Sequence, residues 1–349
     1  MARGTMRMAA IAAISVVAGA THAQTVDELY VRAKSAGETS LVLYSGGPVA
    51  PYETFVKDFE KQFPTIKVSI TGGFSNVLNA KIHEQMKAGK LETDMAFFQT
   101  AQDFVVWKKQ GVLLDFKPEG YDHILPAFRD SDGAYTTTKV NAIAYGVNTS
   151  LVAPQDIPRS ALDLLKPQFA GRIITCYPAD DDATLYLFYT IVQKYGWSYM
   201  DRYMANKPNF VQGHLGVSRS VAAGDNFVTP DATSTLNELK AAGAPVEMVF
   251  SQDDPTPFFT LTSGVFKSAP HPEAAKLFLT WYMNPAQQKR TGVFSARDDV
   301  PPPSGFKPLP SYNAANGYVE FVSNETVLKD LRNRMEKYTG PVVNTGGVR

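Results

Sequence analysis

The sequence predicts an α/β protein built as two lobes, and three observations lead there. The chain has 349 residues, beyond the roughly 250–300 at which single cores stop growing. Short apolar runs alternate with amphipathic stretches at βαβ spacing, which implies mostly parallel sheets with helices on both faces. Glycine turns recur between strand ends and helix starts, the edge of an open α/β sheet where ligands bind. Composition narrows the class further. At 44% hydrophobic and 19% charged, the chain has ample core material and is not disordered. Its 34 basic residues balance 34 acidic ones, which argues against a nucleic-acid binder, because that needs a basic surplus to displace counterions from phosphate.

Residues 1–23 read as a secretory leader. Arg3 and Arg7 precede the apolar run Met8–Gly19, and Thr21-His22-Ala23 ends on the small residue a signal peptidase accepts. The run is shorter than the ~20 residues that span a bilayer. Loss of the leader takes the charge balance to −2. No cysteine follows the cleavage point, so no lipid anchor is expected and the product is exported and soluble. Cys176 is the only cysteine, which excludes an internal disulfide; in the strand-like run Arg172–Tyr177 it reads as a buried structural thiol.

The elements follow in order. Val26–Ala36 is a helical lead-in, and Ser40–Tyr44 a brief apolar strand ending at Ser45-Gly46-Gly47. Tyr52, Phe55, Val56, Phe59 and Phe63 recur at helical spacing until Pro64 stops the helix. Ile66–Ile70 is a second strand, closed by Thr71-Gly72-Gly73. A helix follows with Val77, Leu78, Ile82 and Met86 on one face. Asp94–Phe98 is a third strand, leading to a helix over Thr100–Gln110. Lys139–Tyr145 reads as one long strand. Further strands are expected at Arg172–Tyr177, Asn226–Thr229 and Val246–Phe250, with a helix over Thr233–Ala242 between the last two. His271–Tyr282 is an amphipathic helix, and Asn324–Tyr338 a charged closing one.

Neither glycine turn is a nucleotide fingerprint, since the GxGxxG and GKS/GKT spacings are absent. Glycine there instead lets backbone N–H groups approach a ligand beside a helix start. Asp180-Asp181-Asp182 precedes a helix at Ala183. One Asp suits a cap and a second favours the helix dipole. The third leaves Asp181 or Asp182 as a candidate partner for a cationic group on the ligand or for a metal.

Taken in order, several segments resemble an extracellular solute-binding protein of an ABC importer, of the type grouped with ferric-ion, phosphonate and polyamine binders. They are Leu43-Tyr44-Ser45-Gly46, Thr93-Asp94-Met95-Ala96, Lys109–Leu114, Phe169-Ala170-Gly171-Arg172-Ile173, Val221–Asp225 and, most specifically, Gly264–Phe278. The likeness runs from about Ser40 to Met283. It implies a type II periplasmic-binding-protein fold, two lobes joined by two hinge crossings near Asp132–Val140 and Val246–Asp254. Lobe 1 would comprise residues 39–137 and 250–310, lobe 2 residues 138–249, and a helical segment 311–349 would close the chain. The resemblance further implies a periplasmic monomer that captures a small solute by hinge closure and delivers it to a permease and ATPase complex. No cofactor and no metal are expected.

Ligand contacts are expected at Ser45, Gly46, Gly47, Gly73, Phe74, Ser75 and Gln99 on the first lobe, and at Asp181, Asp182, Thr229, Asp231 and Thr233 on the second. Ferric binders of this type use a tyrosine pair with a histidine and an acid. Here Pro48 stands at the histidine position, Gln99 at the acid position, and Asp225–Ser234 holds no tyrosine pair. Hard Fe(III) wants anionic oxygen ligands, so a small organic solute is expected instead, cationic or neutral given the acids at 180–182 and 253–254. Tyr186 and Tyr189 read as core packing, and Asp253-Asp254 as a hinge turn. Remaining alternatives are a ferric binder with atypical ligands, a sensory binding subunit and a hydrolase. The last is weakened because Gly216-Val-Ser218-Arg-Ser220 misses the final glycine of GxSxG and no histidine pair has zinc-helix spacing. His83 and His123 read as solvated.

Overall fold

A computed structural model describes residues 1, 23–47, 49–315 and 317–343; residues 2–22 of the expected leader, Pro48, Asn316 and the last six residues of the closing segment lie outside this description. Helix α1 (Val26–Ser35) opens on a capping box, with Thr25 Oγ1 accepting from the Glu28 N–H at 3.3 Å and Glu28 Oε2 accepting from the Thr25 N–H at 2.9 Å. Strand β1 (Ser40–Gly46) leads to α2 (Glu53–Gln62), whose Phe55 and Phe59 are buried. Strand β2 (Lys67–Gly73) leads to α3 (Ser75–Lys87), where Leu78 and Ile82 turn inward one turn apart. Val77 was expected on that face, yet it is 61% exposed, because it sits roughly 100° round the helix from Leu78. Strand β3 (Met95–Phe98) and α4 (Ala101–Lys109) complete the opening βαβ series.

Next come β4 (Thr136–Ala142) and β5 (Ala144–Asn148), then β6 (Ile174–Cys176), α5 (Asp182–Tyr195), α6 (Ser198–Ala205) and β7 (Asn209–Val211). They are followed by α7 (His214–Ala223), β8 (Val228–Ala232), α8 (Ser234–Ala241) and β9 (Val246–Val249). The chain ends with β10 (Thr256–Val265), α9 (Pro272–Met283), α10 (Pro285–Gln288), β11 (Ala314–Ala315), α11 (Tyr318–Val322) and α12 (Glu325–Thr339).

Two groups of sheets result. The first has the order β11-β10-β3-β1-β2, with β4 also paired to β10. Strands β1, β2 and β3 run parallel, but β10 is antiparallel to both β3 and β4. The second has the order β8-β5-β9, all antiparallel, and an isolated parallel bridge from Ile173 to Val228 ties the parallel pair β6–β7 to it. Both groups are therefore mixed, because the strands that travel between them enter against the direction of the βαβ series.

The expected single strand Lys139–Tyr145 is divided. Residues 136–142 pair with β10 in the first sheet, and 144–148 pair with β8 and β9 in the second. The change of sheet thus falls at Ile143, a few residues beyond the expected crossing, and residues 138–142 belong to the first sheet. The return runs from Val249 to Thr256. The cores do not follow the sheets one to one, since the first runs on to Val217, Val221, Leu236 and Met248 beside the second group. Phe59, Phe97, Phe278 and Trp281 fill the first, and Phe169, Phe188, Tyr199 and Tyr203 the second. The closing segment packs on the second core through Tyr318, Phe321, Leu328 and Met335, so it is not an independent unit. No helix among the described residues is long and apolar enough to cross a membrane.

Candidate functional site

The carboxyl ends of β1, β2 and β3 meet at the two glycine turns. The Gly47 N–H donates to the Gly73 carbonyl at 2.7 Å, which closes the turns on each other. Gln99, just after β3, donates through Nε2 to the Gly46 carbonyl at 2.9 Å and accepts from Ser75 Oγ, also at 2.9 Å. A Cβ on Gly46 would lie 2.1 Å from Ser75 Oγ and 2.3 Å from Gln99 Oε1, so only glycine permits this bracket. Gly47 adopts φ +108°, the left-handed region that favours glycine. Phe74 is 66% exposed at the start of α3, free to stack on a ligand. Ser45 is different: its side chain is fully buried, so it faces the core and not this edge.

On the second sheet group the candidate residues converge from three elements. The expected strand at Asn226–Thr229 extends to Ala232, so Asp231 lies inside β8 and not at a turn. It is fully buried, as are Thr229 and Thr233 nearly so; all three stand behind the surface, contrary to their expected role as direct contacts. Asp231 Oδ2 accepts from Thr175 Oγ1 at 3.1 Å, from the Cys176 N–H at 2.9 Å and from Thr184 Oγ1 at 2.9 Å. Thr229 Oγ1 accepts from the Asp231 N–H at 3.0 Å. In front of Asp231 stands His214, at the start of α7. Its Nδ1 lies 3.5 Å from Asp231 Oδ1 and 3.6 Å from Cys176 Sγ, and its Nε2 lies 3.5 Å from Asp181 Oδ2. Burial alone would lower the His214 pKa, but Cys176, Asp231 and Asp181 outweigh it and hold it well above its usual range. Asp181 also caps α5, accepting from the Thr184 N–H at 2.9 Å. Burial pushes its carboxyl up, yet His214 and the backbone donors win and bring it down to about 2.

The three consecutive acids therefore have intramolecular partners. Asp180 accepts from Gln212 at 2.8 Å, Asp181 faces His214, and Asp182 pairs with Arg332 of α12. The expected surplus acid for a cationic ligand is spent on holding the closing helix. Near them, Asp103 of α4 accepts from Thr100 Oγ1 at 2.5 Å and Asn79 Nδ2 at 2.9 Å, and burial pushes its carboxyl up to about 6.

The two groups approach each other across β4. Lys139 and Asn141 share the half-exposed face of that strand. Asn141 Oδ1 accepts from Ser234 Oγ, the first residue of α8, at 3.3 Å. Lys139 extends over the Tyr52 ring, its Nζ 4.8 Å from the centroid. Burial pulls this ammonium down to about 8, with Glu238 opposing. Among the described residues no carboxylate pairs with it. His214 and Phe259 of β10 stack across the same boundary, centroids 6.1 Å apart and planes inclined by 20°.

A two-lobe α/β chain with paired glycine turns facing helix starts narrows the choice, and the family profile decides it. The profile of bacterial extracellular solute-binding proteins matches residues 54–316. The chain belongs to that family. Solved structures agree on the fold of periplasmic binding proteins. Iron-bound HitA from Pseudomonas aeruginosa superposes with a TM-score of 0.72 at 17% identity, over 85% of this chain and 99% of that one. The substrate-binding protein of an ABC transporter from Agrobacterium tumefaciens gives 0.70 at 16%, over 86% and 94%. AfuA from Actinobacillus pleuropneumoniae, with fructose-6-phosphate bound, gives 0.67 at 19%, over 86% and 98%. A search of curated proteins finds no match.

Within this family the residues sequence reasoning missed are Lys139, His214 and Asp103. Lys139 carried a signal, the lone charge in Thr136–Val147. His214 carried none, because Cys176, His214 and Asp231 are far apart in the chain and meet only through the sheet. Tyr186 stacks on Tyr189 at 6.2 Å and against Phe321 at 4.9 Å, packed on the second core.

Proposed function

We propose that this chain is the periplasmic capture component of an ABC importer, closing on a small organic solute that carries an anionic group and handing it to the permease. The observation that carries the ligand class is Lys139. A half-buried ammonium whose pKa is pulled down by desolvation gains most from an incoming carboxylate or phosphate, which restores the charged form. Its neighbours suit that role. Asn141 and the α8 start with Ser234 present polar groups beside it, and the helix N-terminus adds partial positive charge. The acids that pointed to a cationic solute are neutralised internally by His214 and Arg332. Phe74 supplies an exposed apolar face for the remainder of the solute.

The test is a thermal-shift and calorimetric screen of carboxylates, phosphate esters, amines and ferric citrate against the wild type and Lys139→Met. Saturable binding of an anionic compound, weakened at least tenfold by Lys139→Met, is the expected result. Preference for amines, or a ferric complex with a visible tyrosinate band, overturns the reading.

A further inference from the structure

We propose that Cys176, His214 and Asp231 form a site for a divalent transition cation of the zinc class, separate from the solute contact at Lys139. The sequence points to no metal at these three residues, and the donors come from three elements: the end of β6, the start of α7 and the later part of β8. Their ligand atoms all lie within 4.8 Å of one another. Tetrahedral coordination with Zn–S of about 2.3 Å and Zn–N or Zn–O of about 2.0–2.1 Å gives donor–donor edges of roughly 3.3–3.6 Å. The S–N separation of 3.6 Å and the N–O separation of 3.5 Å match those edges.

An independent observation points into the same space. Asp231 is fully buried, and while Oδ2 takes three donors, Oδ1 has no hydrogen-bond partner. A buried carboxylate oxygen without a donor is costly, and a cation seated against it removes that cost. The surroundings also match what a ligating set requires. Thr175, Thr184 and the Cys176 N–H fix the orientation of the Asp231 carboxylate, and Asp181 Oδ2 stands 3.5 Å from the far nitrogen of His214. Carboxylate behind imidazole behind metal is the arrangement that fixes the ligating tautomer. With a thiolate and one carboxylate as ligands, a divalent ion is neutralised. Coordination releases the Cys176 thiol proton and the His214 imidazolium proton to solvent, so affinity rises with pH. A thiolate and an imidazole select zinc, cobalt or copper over magnesium or calcium.

The experiment uses the full chain, reduced and stripped with chelator, titrated with Zn(II) and with Co(II). One equivalent of either ion binds, and the Co(II) form shows a near-ultraviolet thiolate-to-metal charge-transfer band. Cys176→Ser removes the band and, with His214→Gln, weakens binding at least tenfold. Asp181→Asn weakens it about 10–100-fold, with circular dichroism confirming each variant is folded. No stoichiometric binding overturns the proposal. So does a wild-type Co(II) complex without the thiolate band, a reading that needs no variant, and so does loss of the ion in His123→Ala, which places it at the exposed His123–Asp298–Asp299 group.

Discussion

Lys139 shows how one residue can oppose stability and still be retained. A cation whose folded pKa sits near 8, below its ordinary 10.5, costs the fold while the unfolded chain keeps its proton. That cost is full below pH 8 and fades as pH climbs from 8 to 10.5. Lys139→Met is therefore expected to stabilise the solute-free protein by about 1–3 kcal/mol at pH 7, and by almost nothing near pH 10.5, as measured by urea unfolding at both values. Solute affinity should move the other way, falling as pH rises past 8 in the wild type. At Gly46 the effect is purely steric. Gly46→Ala drives a methyl into the Ser75–Gln99 bond, and a loss of about 1–3 kcal/mol together with weakened solute binding is expected in denaturation and calorimetry.

Among the elements, α5 and the second crossing repay comparison with what the sequence suggested. The run Asp180–Asp182 was legible as a helix start, and Asp181 does cap α5. Its partners were not legible, since His214 lies 33 residues on and Arg332 150 residues on. The helices α6 and α7 were missed although Tyr199, Met200 and Tyr203, and Val217 and Val221, keep helical spacing, because each is only about two to three turns long. Strand β10 was missed in a stretch where Pro257 and Gly264 disfavour a strand interior. Yet β10 is the strand that β3 and β4 both pair with. Asp254 was read as a hinge turn, and its anchoring could only be seen in three dimensions. It accepts from Tyr145 Oη at 3.0 Å, the Ala161 N–H at 2.6 Å, Lys194 Nζ at 2.8 Å and Tyr195 Oη at 2.5 Å. Burial raises its pKa, but Lys194 and Tyr195 outweigh it and leave it below the usual carboxylate range. Its contribution is thus full above about pH 4 and is lost as pH falls further. Asp254→Asn should cost about 1–3 kcal/mol at pH 7, and the difference from wild type should narrow in melts at pH 3.

For the whole molecule, the α/β class and the family were readable because the opening βαβ series is local and regular. The sharing of strands between sheets was not, because it depends on pairings made far along the chain. A captured solute should close the lobes and raise stability by mass action, about 2.7 kcal/mol when solute is at 100 times Kd. Small-angle scattering should then show a smaller radius of gyration with solute than without. An unchanged radius alongside a raised melting temperature would separate binding from closure.

The junction at Ile143 has one more consequence. Ala142 lies opposite Phe258, and the Ile143 N–H donates to the Pro257 carbonyl at 2.9 Å. The two chain passages are laced together as one ribbon. Pro257 has no N–H to give in return, so the lacing there is one stitch deep. Under the proposed closure, bending at this place would follow the twist of a single torsion bar rather than the swing of two separate pins. Its angle is set where a single amide proton can be watched. Hydrogen exchange at Ile143 should therefore track the opening of the protein, slowing when solute holds it shut.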